Sequence, residues 1–83
     1  MSALGDVLEA LRLVEERLDE ARGQLAGSRE LLGQAVTALT RLDPENPESV
    51  VPPGYGRADD QIERSQAAIE QIMGTLRDFA ARL

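Results

Sequence analysis

The sequence predicts an all-α fold, an antiparallel helical hairpin of coiled-coil type whose first helix is much longer than its second. Three observations predict it. All four prolines fall between Asp43 and Gly54, so no helix can run through that stretch. On either side, apolar residues recur at alternating steps of three and four, as in helices that pack along a narrow seam. The 83 residues include one Tyr, one Phe and no Trp or Cys, so the material for a core is scant and a single domain, 1–83, is the ceiling.

The elements follow in order. Ser2 is the expected N-cap of a first helix over about 3–43. Its heptad never slips. Leu4, Leu11, Leu18, Leu25, Leu32 and Leu39 take the a positions, and Val7, Val14, Ala21, Ser28, Ala35 and Leu42 take d. Gly23, Gly27 and Gly33 weaken this helix by up to about 1 kcal/mol each. They leave one alternative, a bend at 23–28 that folds residues 3–22 back as a third helix; the unbroken heptad favours the straight form. A Pro/Gly loop over 44–57 follows. The second helix covers about 58–83, with Asp60 and Glu63 in capping-box spacing near its start. Ile62, Ile69, Leu76 and Leu83 are its a positions, and Ser65, Ile72 and Phe79 its d positions.

In an antiparallel pair, a layers meet d layers. Placing Leu42 opposite Ile62 sets Leu39 against Ser65, Ala35 against Ile69, Leu32 against Ile72, Ser28 against Leu76 and Leu25 against Phe79. With Ala21 against Leu83, large faces small in four of these seven layers, as close packing requires. The expected hairpin core is Leu25, Leu32, Leu39, Leu42, Ile62, Ile69, Ile72, Leu76 and Phe79. Val50, Val51 and Tyr55 are expected to close the loop end near Leu42 and Ile62. This register leaves Leu4, Val7, Leu8, Leu11, Val14 and Leu18 without a partner in the chain, and such a stripe marks an interaction surface. A second copy would cover it in antiparallel fashion, stacking Leu4 on Ala21, Leu11 on Val14 and Leu18 on Val7; a foreign helical protein is the other candidate. Leu31, Val36, Ala38, Met73 and Ala80 hint at a second apolar side that a four-helix arrangement would use.

Composition excludes much. With no His and no Cys there is neither imidazole nor thiolate, so we expect no metal site, no cofactor and no catalysis. Glu15, Glu16, Asp19 and Glu20 read as a solvated, ion-paired face rather than a carboxylate site. Nine arginines against fifteen acids give a net charge of −6, which disfavours nucleic acid as a partner. No apolar run is long enough for a signal peptide or a membrane span. The expected location is the cytoplasm, or outside the cell without a cleavable signal, with no membrane partner. The absence of Lys beside abundant Ala, Gly and Leu suggests a bacterial genome rich in G and C.

A helix, a Pro/Gly loop and a second helix at this length resemble the small hairpins exported by bacterial type VII systems, the WXG-motif family. The Trp-x-Gly turn of that family is absent here. Tyr55-Gly56-Arg57-Ala58-Asp59 has the letters of its Tyr-x-x-x-Asp/Glu export signal but precedes the second helix rather than following it. The run from Leu42-Asp43-Pro44 through Val51-Pro52-Pro53 to Ala58-Asp59-Asp60 also looks like N-terminal helical modules of actinobacterial polymorphic toxins. These resemblances imply hairpins that dimerise into four-helix bundles and serve as secreted partners or toxin modules. From the residues we expect a non-catalytic oligomerisation or protein-interaction module, and the resemblance implies the N-terminal or partner module of a secreted toxin system. The alternative is a helix-binding chaperone or antitoxin-like protein that sequesters a foreign partner.

Overall fold

The computed structural model describes residues 2–83. The Ser2 hydroxyl oxygen accepts the Gly5 N–H at 3.0 Å and opens α1 (Ala3–Thr40), with Asp6 in the first turn at the positive end of the helix dipole. The helix runs through Gly23, Gly27 and Gly33 without a break, so the bend those glycines allowed is not made. Ion pairs one turn apart line its outer side: Arg12 with Glu9 and Glu16, Arg17 with Glu20, and Arg22 with Asp19.

α1 ends at Thr40, three residues short of the expected limit. The N–H groups of Leu42 and Asp43 turn back onto the carbonyls of Leu39 and Thr40, and Pro44 biases Asp43 away from helical geometry. The Asp43 carboxylate then ties down the loop, accepting from the Asn46 N–H at 3.3 Å and the Ser49 hydroxyl at 2.9 Å. A 3₁₀ turn at Pro47–Ser49 follows. α2 (Gly54–Ala81) starts four residues earlier than its spacing predicts. Pro52 and Pro53 stand just before its first turn, where a missing N–H is no loss, so the prolines lead into the helix and do not delay it. Asp60 accordingly lies inside α2 and caps nothing.

The helices are antiparallel and pack on each other, but in a register and on a face that differ from expectation. Arg77 pairs with Glu15 at 2.7 Å, Arg22 with Glu70 at 3.6 Å, and Arg29 with Asp59 at 2.7 Å and Glu63 at 3.4 Å. Leu76 and Ala80 share a groove with Leu8, Leu11 and Glu15, whereas Leu76 was expected beside Ser28. Relative to that expectation α2 is displaced about two heptads toward the start of α1. The reason is coverage. In this register α2, about 42 Å long, lies nearly centred on α1, about 57 Å long, and only about a turn of α1 projects at either end.

The packed face also changes. Half-buried residues of α1 recur at Leu11, Glu15, Leu18, Arg22, Leu25, Arg29, Leu32, Val36 and Leu39, the a and e positions, with the small d residues Ala21 and Ala35 half-buried at the margin of the seam and Thr40 at the helix end. In α2 they include Tyr55, Asp59, Ile62, Gln66, Ile69, Met73, Leu76 and Ala80, again a and e, with the small d residues Ala58 and Ser65 half-buried beside them. The charges account for this choice of flank. Glu15, Arg22, Arg29 and Asp59 are all e residues and pair across the hairpin, and with e turned inward their long side chains also lay their stems along the seam. Six of the expected core residues keep their place: Leu25, Leu32, Leu39, Ile62, Ile69 and Leu76. Three do not: Ile72 and Phe79, 48% and 43% exposed, because a and e face the partner helix, and Leu42, 73% exposed, because it lies in the turn beyond the end of α1. Met73 at 4% exposure is the only buried residue among those described.

The result is a rod of 64 × 16 × 14 Å with a radius of gyration of 19.0 Å, against about 12 Å for a compact chain of this length. Its accessible surface is 6211 Å², where a compact 9.0 kDa monomer exposes about 4,900 Å².

Candidate interaction surface

With a and e turned inward, both d positions flank the same side of an antiparallel hairpin, and the g positions lie just beyond them. That side carries Val7, Val14, Leu31, Ile72 and Phe79, each between 41% and 66% exposed. Its other members are mostly small: Ala10, Ala21, Ser28, Ala35 and Ala38 on α1, and Ala58, Ser65, Ala68 and Thr75 on α2, with Ala21, Ala35, Ala58 and Ser65 half-buried where the side meets the seam. None of the fifteen acidic residues sits at a d or g position of either helix, and the only charges there are Arg17 and Arg82. The opposite side, formed by b and f positions, holds Glu9, Arg12, Glu16, Asp19, Glu30, Asp60, Glu63, Glu70 and Arg77. The rod therefore has one charged broad side and one that is apolar and free of acid.

The interaction residues expected from the sequence divide along this line. Leu11 and Leu18 are half-buried against α2 and belong to the hairpin's own seam. The partner that the expected register denied them is α2 itself, so the stacking of Leu11 on Val14 and Leu18 on Val7 of a second copy is not available. Val7 and Val14, 41% and 46% exposed, lie on the apolar side. Leu4 and Leu8, 47% and 41% exposed, occupy the projecting first turns of α1. Leu31, Ile72 and Phe79 complete the surface; the sequence places Ile72 and Phe79 in the core and Leu31 on a second apolar side, of which Leu31 and Ala38 lie here while Val36, Met73 and Ala80 turn into the seam. The signal was present in the exclusion of every acid from d and g.

The charged flank is built as a clamp. The Arg29 guanidinium donates through Nε to Asp59 Oδ1 at 2.7 Å and through Nη2 to Oδ2 at 3.1 Å. This hydrogen bonding holds the Asp59 carboxyl below its ordinary value, against a smaller opposing effect of desolvation. Arg12 likewise lowers Glu9, chiefly through their hydrogen bond. Glu15 belongs to this clamp through Arg77 and is half-buried, so it leaves the solvated cluster in which its sequence neighbours suggested it. At the loop end, Val51 and Tyr55 pack beside Leu32 and Val36, not beside Leu42 and Ile62, around an open groove of about 410 Å³. Among the described residues no cluster of acidic side chains is placed to hold a metal ion, and no helix is long and apolar enough to cross a membrane.

No protein-family model matches the chain, and no curated protein or solved structure shows similarity to it.

Proposed function

We propose that this protein is a non-catalytic association module whose acid-free d/g side docks against another helical surface. The observation that carries the reading is the segregation of the rod into two broad sides, with five large apolar residues exposed on the side from which every acid is missing. Soluble monomers seldom keep such a stripe in water. These residues are already part-buried, so covering each adds about 1 kcal/mol, roughly half the value of full burial. By layout, its resemblance to type VII hairpins and toxin modules makes a secreted toxin system the proposed setting.

Thermal unfolding followed by far-UV circular dichroism tests the reading. A hairpin with one buried residue is marginal alone, so its midpoint should climb with whatever covers the open side. A self-partner makes the midpoint rise with chain concentration, whereas a foreign helix does so only when added. A high midpoint at the lowest measurable concentration, unmoved by further protein, would sink the proposal, because a chain stable with that side wet is not built around covering it.

A further inference from the structure

We infer that the occupant of the acid-free side is a second copy of this chain, docked with its loop at the opposite end of the assembly. This rests on the association reading above and specifies its partner and geometry.

Area supports a second copy. The chain exposes roughly 1,300 Å² more than a compact monomer of its mass, more than the surface each chain gives up in a standard-size interface. The open side supplies enough surface. A paired length of about 42 Å and a width of 16 Å give a footprint of roughly 700 Å², close to the usual 800 Å² per partner.

The distribution of side-chain size sets the orientation. The ion pairs place Ile72 and Phe79 on the same half of the rod as Val7 and Val14, the half that holds the two chain ends. The loop half of the same side holds Ser28, Ala35, Ala38, Ala58 and Ser65, with Leu31 as its main large residue. Docking with both loops at one end would stack large on large there and small on small elsewhere, overpacking one half and leaving voids in the other. Reversing one copy about a twofold axis near Ala21 to Gln24 sets Val7 level with the second copy's Ala38, and Val14 level with its Leu31. Ile72 and Phe79 then lie over the small run of Ala58, Ser65 and Ala68. Charge agrees with size. Loops together would gather both copies of Arg17 and Arg82 at one end of an interface with no acid of its own, whereas the reversed form separates them to opposite ends.

The chain has no cysteine, so one introduced thiol reports on the assembly without ambiguity. A nitroxide on Glu45→Cys sits in the exposed loop, away from every helix contact. Pulsed electron resonance on this labelled chain should show label pairs separated by about 60 Å, because reversed copies carry their loops at opposite ends of the rod. The same chain bearing Ile72→Glu should lose that distance and halve its light-scattering mass while keeping its helix content, since Ile72 lies outside the hairpin seam. A dimer with labels within about 30 Å would overturn the reversed arrangement and leave the association reading standing. A mass of 9.0 kDa at every concentration would overturn the second copy as occupant, and a midpoint raised by a foreign helix would then be the separate support for association.

Discussion

Met73 and Ile72 are neighbours in sequence that the hairpin treats oppositely, and replacing each by alanine measures which face forms the seam. Met73 is 4% exposed and Ile72 48%. Truncating a buried methionine ordinarily costs 2–5 kcal/mol, counting lost transfer energy and the space left behind. The residues around Met73 are only half-buried and can relax into that space, so Met73→Ala should cost about 2 kcal/mol, the low end of the range. For a domain of this size that lowers the midpoint by roughly 8–16 °C. Ile72→Ala forfeits about half a side chain's burial and regains some helix propensity, for a net loss under about 1 kcal/mol in the lone hairpin. Urea unfolding followed by circular dichroism at low and high chain concentration gives both values. The Met73 loss should be the same at both concentrations, while the Ile72 loss should grow as chains associate. If Ile72→Ala costs as much as Met73→Ala in dilute solution, the seam lies at a and d, and the exposed d/g side does not exist.

Three further outcomes follow from the same geometry. Gly23, Gly27 and Gly33 lie in regular helix with no atom within 4 Å of a Cβ position, so alanine at all three should raise the midpoint, each change adding up to about 1 kcal/mol. No rise in thermal melts would mean α1 is bent or frayed there. Asp59 has its pKa lowered in the folded chain, so its contribution is complete above the ordinary aspartate value near 4 and is lost as pH falls through the lowered one. Arg29→Gln should flatten that acid-side slope in a pH series of urea midpoints, and an unchanged slope would remove the pair from the stability of the clamp. Ser2→Ala removes the hydroxyl that caps Gly5 and should cost about 1 kcal/mol locally. Because that turn projects beyond α2, faster amide exchange confined to the first turn of α1 is the expected readout, and a drop in global stability would show the end to be more tightly coupled than its packing indicates.

Local rules decided the elements. A proline-delimited break, an N-cap at Ser2 and an unslipped leucine heptad are enough to produce two helices and a hairpin, because capping, proline sterics and apolar periodicity act over a few residues. Leu25, Leu32, Ile62 and Ile69 take core places on that ground alone, since a sits at the centre of any seam the heptad can form. Two things waited for the tertiary structure. One was the register: a thirteen-residue loop does not fix how far α2 slides, and the slide settles where α2 covers the most of α1, taking in Leu11 and Leu18. The other was which flank of a turns inward. Volume matching favours d, but a and e face the partner, with Glu15, Arg22, Arg29 and Asp59 paired across the hairpin, and those pairs form between residues 30 to 62 positions apart, beyond the reach of any local pattern. By drawing e into the seam, those ion pairs leave Val14, Ile72 and Phe79 on the open side.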